Sequence, residues 1–300
     1  MNSIRAALTA YGTTSLFVLL WSSGAIFAEI GIEHASAFAF LLMRFALACA
    51  VLAAFGARRG RWLPAPGTRW RVALTGALIT GGYSICYLLA LSHGLTPGLL
   101  ATILGAQPIL TLLATQRRYG ARRIAGLGMS LLGLALVVHP GAAAASASLD
   151  GAAFGLAALL CMTCGALLQK QIKQPPIDVL PLQNAVSLAL CVAIAPSMPL
   201  APSMPLAARF DAPLFVALVW LGLVISVFAQ LLFYRLVQRG DLVNVTSLFY
   251  LVPIVTALMD YMFLGNRLHA SELAGMAAIL MGLALVLGPD RAPSFARRAR

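Results

Sequence analysis

Ten runs of roughly twenty apolar residues, separated by short polar segments, constrain what this chain can fold into. A hydrocarbon layer about 30 Å thick needs about 20 residues of apolar helix to cross it. Runs of that kind fall at 12–31, 36–55, 71–91, 97–116, 122–139, 151–169, 179–196, 213–234, 243–264 and 271–288. Lipid offers no hydrogen-bond partner, so each run has to satisfy its backbone internally, as a helix does. The expectation is an all-α integral membrane protein with ten transmembrane helices. The first run follows a short basic stretch, as a signal peptide would. It carries Glu29 near its end and completes the alternation of the other nine, so it is read as retained.

Charge separates this reading from a soluble one. Only 10% of the 300 residues are charged and 61% are hydrophobic, where a soluble domain carries about 25% charged residues. A net charge of +12 would suit nucleic acid, but the basic residues sit in short loops between apolar runs and form no continuous face. The expected surroundings are therefore a lipid bilayer, with no nucleic-acid partner. Cys49, Cys86, Cys161, Cys164 and Cys191 all lie inside apolar runs, which argues for packing and against a disulfide framework. Cys161-x-x-Cys164 lacks a second pair or a nearby histidine, so no metal site and no cofactor are expected.

The loops give the orientation. Arg5, Arg58, Arg59, Arg61, Arg69, Arg71, Arg117, Arg118, Arg122, Arg123, Lys170, Lys173, Arg235, Arg239, Arg291, Arg297, Arg298 and Arg300 fall in one alternating set of segments, 18 of the 21 basic residues. The other set holds Arg209 and Arg267, and Arg44 lies within a span. Cytoplasmic loops carry the excess of Lys and Arg, so both termini are expected in the cytoplasm. The abundance of arginine and alanine is that of GC-rich coding, and the expected location is a bacterial cytoplasmic (inner) membrane. The segment 195–206 reads APSMPL twice in succession, an extended outer linker.

The chain also repeats itself. RIAGLGMSLLGLALVVHP (123–140) aligns without gaps to ELAGMAAILMGLALVLGP (272–289), pairing Gly126 with Gly275, Gly133 with Gly282 and Pro140 with Pro289. One span earlier, Pro108, Ile109 and Thr111 fall in register with Pro253, Ile254 and Thr256. The units are 1–140 and 141–300, five spans each. An odd number of spans makes the second copy enter the membrane from the opposite side, an inverted repeat. Transporters hold substrate at the interface of such repeats, and rocking about it alternates access. The glycines, seven residues apart, suit close helix packing. Pro108 and Pro253 break the helical hydrogen-bond ladder, either as simple kinks or as hinges that shape a cavity.

Ionisable and polar residues within the spans are the site candidates. Arg44 lies about eight residues, or about 12 Å, from the outer end of its helix. It either snorkels outward or locks helices together by binding carbonyls, or holds a substrate carboxylate, or pairs with Glu29 or Asp260 as a gate. Glu29 and Asp260 are also the candidates for carrying a coupling proton. Trp21, Tyr83, Tyr87, Gln107, Thr163, Gln230, Tyr234 and Tyr250 suit a cavity with a few polar groups among apolar walls. Tyr83 and Tyr87 share a helix face, as do Gln230 and Tyr234. The histidines, His34, His93, His139 and His269, map to outer loops or span ends, an interfacial placement that also admits pH sensing.

Trp21-Ser-Ser-Gly24, Arg44-Phe45, Ala101…Pro108 with Gly126…Gly133, and the second copy Thr246…Pro253 with Gly275…Gly282 together resemble the drug/metabolite transporter superfamily, in particular its EamA-type exporters. The likeness covers essentially the whole chain. It departs at Arg117 and Asn266, where family members often carry a glutamate. The resemblance implies export of small polar or amphipathic metabolites, amino acids and related compounds being the commonest class, by a monomer or homodimer. No Walker-type phosphate loop occurs, which leaves a secondary gradient, with a proton as the candidate coupling ion. A lipid or lipid-linked sugar flippase is the alternative that the same fold supports. An intramembrane lipid-modifying enzyme fits less well, because the spans hold neither HExxH, nor GxSxG, nor paired aspartates.

Overall fold

A computed structural model describes residues 2–60, 62–116, 120–142, 148–194, 210–263 and 269–288. Helix α1 is Asn2–His34, α2 Ala37–Arg59, α5 Ala121–Ala142, α6 Leu149–Gln171, α7 Pro176–Ile194 and α10 Ala270–Leu287. The other four spans are interrupted. Helix α3 runs Arg69–Gly76, widens into a π-helical turn at Ala77–Gly82 and resumes as Tyr83–Ser92. Helix α4 runs Pro97–Leu104 and restarts at Gln107–Thr115. Helix α8 passes from Ala212–Val219 through π-helical Trp220–Ala229 to Gln230–Arg239, and α9 from Leu242–Ser247 through one 3₁₀ turn at Leu248–Tyr250 to Leu251–Phe263.

The helix ends are written into the sequence. Ser36, Thr96, Ser148, Asp211 and Asp241 each accept a backbone N–H in the first turn of their helix, which satisfies donors the helix leaves open. Gly60, at φ 62°, ends α2 in the left-handed conformation that glycine adopts without strain. The interruptions have causes of the same local kind. Pro108 and Pro253 have no N–H to return to the carbonyls of Leu104 and Phe249, and the ladder breaks one turn before each. In α8 the Ser226 hydroxyl donates to the Leu221 carbonyl, five residues back, at 2.8 Å.

Among the described residues nine helices are long and apolar enough to cross a membrane, and the apolar part of α1, Gly12–Ala28, is a shorter tenth stretch. Many large apolar side chains point outward, Leu132, Phe215 and Met262 among them. Loss of that surface to water would be unfavourable, and lipid removes the penalty. The expected boundaries hold to within a few residues, except that α1 extends well before residue 12. The tandem APSMPL segment, Arg117 and Asn266 lie outside the described residues.

Helices α5 and α10 pack through their glycines. A methyl placed on Gly126 would lie 2.7 Å from the Gly282 carbonyl oxygen, and one on Gly133 2.6 Å from that of Gly275. Residue numbers rise along α5 as they fall along α10, so the two helices run antiparallel. Around this pair the contacts of the first five helices recur in the last five. Helix α1 packs on α8 as α6 packs on α3, α1 on α9 as α6 on α4, and α2 on α8 as α7 on α3. Helices α2 and α7, α4 and α9, and α5 and α10 meet one another directly.

Candidate functional site

Between the two sets of five lie two adjoining chambers. The first, about 290 Å³, is walled by α1, α2, α3, α6, α8 and α9; the second, about 480 Å³, by α1, α3, α4, α5, α6 and α9. Trp21, Tyr83, Tyr87, Met162 and Val252 line both, so the chambers adjoin at these side chains. Several lining residues sit toward one face of the bundle: Ala28 near the end of α1, Phe40 near the start of α2, Leu88 near the end of α3, Gly98 at the start of α4 and Val138 near the end of α5. That is the end of each helix remote from Arg58, Arg71, Lys170, Arg235 and Arg239.

The floor is aromatic. Trp21 lies 5.4 Å from Phe17, 6.0 Å from Phe233 and 5.4 Å from Phe249, ring centre to ring centre. Phe17 stacks on Phe233 at 5.6 Å, and Tyr234 is buried beside Phe233. Below the floor the helix ends are tied by polar contacts. The Lys170 ammonium, on α6, donates to the carbonyls of Val237, Gln238 and Gly240 at the end of α8, at 2.8, 3.2 and 2.6 Å. The Gln238 carboxamide donates back to the carbonyls of Ile172 and Gln174. Arg123 pairs with Asp241 and Asn244, and Arg59 with Asp178. A cation on the exposed carbonyls of a helix C-terminus satisfies them and complements the helix dipole.

Arg44 enters the first chamber from α2. Its Nε donates to the Ser226 hydroxyl at 2.7 Å, and that hydroxyl in turn donates to the Leu221 carbonyl. The guanidinium carbon lies 5.9 Å from the Phe45 ring centre. Among the described residues no carboxylate stands within ion-pair distance of it. The side chains of Glu29 and Asp260 lie outside the described residues. One nitrogen of the guanidinium is therefore fixed by the π-helical segment of α8, and its remaining donors are available to an anion.

The structure brings most of the remaining candidates to the same space. Trp21, Tyr83 and Tyr87 line both chambers, the tyrosine rings 5.9 Å apart. Gln230 lines the first chamber; Gln107, Pro108, Tyr250 and Pro253 line the second. The Tyr250 hydroxyl donates to the Gly105 carbonyl at 2.5 Å, joining the breaks in α4 and α9. Thr163 and Tyr234 line neither chamber. The Thr163 hydroxyl donates to the Leu159 carbonyl of its own helix, and its neighbour Met162 faces the cavity instead. Ser226 was not among the sequence candidates. Its signal is a hydroxyl one turn before Gln230 inside an otherwise apolar run, and only the three-dimensional structure pairs it with Arg44.

His34 contacts Asp211 at 2.7 Å, His93 the Leu89 carbonyl and His269 Glu272 at 3.7 Å; the side chain of His139 lies outside the described residues. Among the described residues no three His, Cys, Asp or Glu side chains gather as metal ligands would.

Comparison with known proteins agrees with this architecture. Residues 8–139 and 149–288 each match the model of the EamA-like transporter family. A Salmonella typhimurium protein described as "Probable amino-acid metabolite efflux pump" is 23% identical over 283 residues, covering 89% of this chain and 91% of its own. An Escherichia coli protein of the same description is 21% identical, with the same coverage. One crystal structure superposes with a TM-score of 0.74 at 21% identity, over 92% of this chain and 98% of its own. At that identity the likeness is one of fold.

Proposed function

The chain belongs to the EamA-like transporter family, a multi-pass membrane protein by its helices, and from that premise we propose a secondary exporter of amino acids or related small amphipathic metabolites. It works across the bacterial cytoplasmic membrane by alternating access. The observation that carries the reading is Arg44: a guanidinium held at one nitrogen by Ser226 and facing a chamber built from both halves, with no carboxylate beside it among the described residues. A cation removed from water is unfavourable unless an anion or several hydrogen bonds compensate. A substrate carboxylate supplies both.

Two arrangements support the mechanism. The antiparallel crossing of α5 and α10, and the recurrence of contacts between the halves, fit an inverted repeat with a pseudo-two-fold axis in the membrane plane. Under that reading all ten helices span and both termini are cytoplasmic. The cavity then opens to the outside, while the Phe17–Trp21–Phe233–Phe249 floor and the Lys170 clasp close the cytoplasmic side. Opening inward requires α6 and α8 to part there and the outer walls to close. The interruptions at Pro108 and Pro253 and the π-helical turns of α3 and α8 supply bending points at which the ladder is already broken.

Counterflow in proteoliposomes with a panel of amino acids, amines and nucleobases tests the proposal. Exchange of carboxylate-bearing substrates, lost in Arg44→Ala at wild-type abundance, is the expected result. Normal transport by that variant removes Arg44 from the path. Movement of lipid with no soluble substrate exchanged favours a flippase.

A further inference from the structure

The two halves cross at equivalent places with unequal closeness. Where α1 passes α8, Gly24 faces the side chains of Ile225 and Leu221, and an added methyl would lie 3.7 Å from either. Where α6 passes α3, Gly165 faces Ile79, and an added methyl would stand 2.7 Å from its backbone nitrogen and 2.8 Å from its Cα. A second pair of glycines repeats the correspondence. Gly222 of α8 lies against Leu47 and the Arg44 carbonyl of α2, and Gly76 of α3 against the backbone of Gln183 of α7. Gln183 thus holds in the second half the place that Arg44 holds in the first.

The looser crossing borders the first chamber, whose walls include Gly24, Ala28, Arg44, Leu221 and Ile225. The tighter one lies toward Lys170 and is closed: Thr75, Gly165, Gln169 and Gln183 are all buried. Gln169 stands one turn beyond Gly165, as Ala28 stands one turn beyond Gly24. The Gln183 carboxamide donates to that of Gln169 at 2.9 Å. The pair leaves one acceptor, Gln183 Oε1, and one donor, Gln169 Nε2, buried with no partner among the described residues. Such atoms are unfavourable, and apolar side chains would close the same crossing without that penalty.

We propose that this crossing opens into a second substrate chamber at the basic ends of the helices, and that Gln169 and Gln183 hold an amino-acid zwitterion there. No substrate touches them in the state described, because the crossing is shut. Opening parts α6 from α3 as well as from α8, and presents the free acceptor to the ammonium and the free donor to the carboxylate. The contacts are hydrogen bonds alone, where Arg44 supplies a charge. The inference rests on the alternating-access reading above and assigns the residues that substrate meets on the other side.

In a background without the native cysteines, Gln169→Cys and Gln183→Cys are each exposed to a membrane-impermeant thiol reagent during amino-acid counterflow in membrane vesicles. Lys173→Cys, at an exposed position, marks the side of the basic helix ends. Ser130→Cys, buried at the α5–α10 crossing, gives the rate of a closed site. From the side that labels residue 173, residues 169 and 183 are expected to react about tenfold or more faster than residue 130, since a thiol that stays buried is inert. Reaction is expected to stop counterflow. Each glutamine is probed alone, so a variant that fails to fold leaves the other to decide. Reaction no faster than that of Ser130→Cys, or reaction that leaves counterflow undiminished, overturns the inference. Unreactive positions in protein that still exchanges amino acids defeat this inference alone. Reactive positions in protein that exchanges none defeat the transport reading alone.

Discussion

Gly126 of α5 lies against the carbonyl of Gly282 of α10, so closely that a methyl at residue 126 would stand 2.7 Å from the oxygen. Seven residues on, Gly133 meets Gly275 in the same way. In the sequence repeat Gly126 corresponds to Gly275 and Gly133 to Gly282. Each glycine therefore contacts the counterpart of its own neighbour, the exchange a two-fold axis between equivalent helices produces. The backbones approach because no side chain intervenes.

Enlarging the glycines at this crossing should destabilise the fold. Gly133→Val adds three carbons against the Gly275 carbonyl and the Ile279 backbone, an overpacking penalty of about 1–3 kcal/mol. A Tm several degrees below wild type in detergent is expected. Gly128 sits on the same helix with nothing within 4 Å of an added methyl. Gly128→Ala should leave the Tm unchanged or slightly raised, since alanine favours helix. Equal melting of Gly133→Val and wild type would show that the crossing is loose.

Ser226 should act on substrate through Arg44. Its hydroxyl accepts the Nε–H at 2.7 Å, and hydrogen bonds to charged groups contribute about 1.5–3 kcal/mol. Ser226→Ala should therefore weaken binding of carboxylate substrates about tenfold or more while leaving amines and other uncharged-acid analogues unaffected. Arg44→Lys keeps the charge but loses the planar fork, and should bind carboxylates less tightly than wild type and more tightly than Arg44→Ala. Competition by unlabelled ligands in nanodiscs gives the order. Equal affinities for all four proteins would place the carboxylate elsewhere.

Lys170 should hold the basic face of the bundle shut. Replacing it with Met keeps most of the aliphatic stem and removes the ammonium from the carbonyls of Val237, Gln238 and Gly240. The expected loss is about 1–3 kcal/mol from carbonyls left without a donor. It should appear as a lower Tm and, in a background without the native cysteines, as faster reaction of a cysteine at residue 233 with thiol reagents added from the side of the basic helix ends. Unchanged reactivity would assign Lys170 to local capping alone.

How much of this was readable from sequence follows from which interactions are local. The spans were legible because an apolar run long enough to cross lipid has few other outcomes, and the caps at Ser36, Ser148 and Asp211 sit where such residues begin helices. The glycine pairs could be matched by counting, though not their crossed contacts, which depend on helix geometry. Trp21, Arg44, Tyr83, Tyr87, Gln107, Gln230 and Tyr250 reach the cavity as polar or aromatic residues in apolar runs would. Thr163 does not, because a threonine hydroxyl in a helix can bond its own backbone. The π-helical turn that carries Ser226 to Arg44 was invisible, since its sequence, Trp220–Ala229, is apolar and periodic like any span. The clasp at Lys170 joins residues nearly seventy apart and needed the fold.

The central claim is that one cavity is exposed to the two sides of the membrane in turn, which requires α6 and α8 to separate beneath the aromatic floor. In a cysteine-free background, cysteines at residues 170 and 238 can be joined by a short reducible bifunctional thiol reagent, and substrate counterflow measured before linking, after linking and after reduction. The account predicts flux in the unlinked protein, loss of flux with retained binding from the outer side once linked, and recovery on reduction. Undiminished counterflow through the linked protein would contradict it.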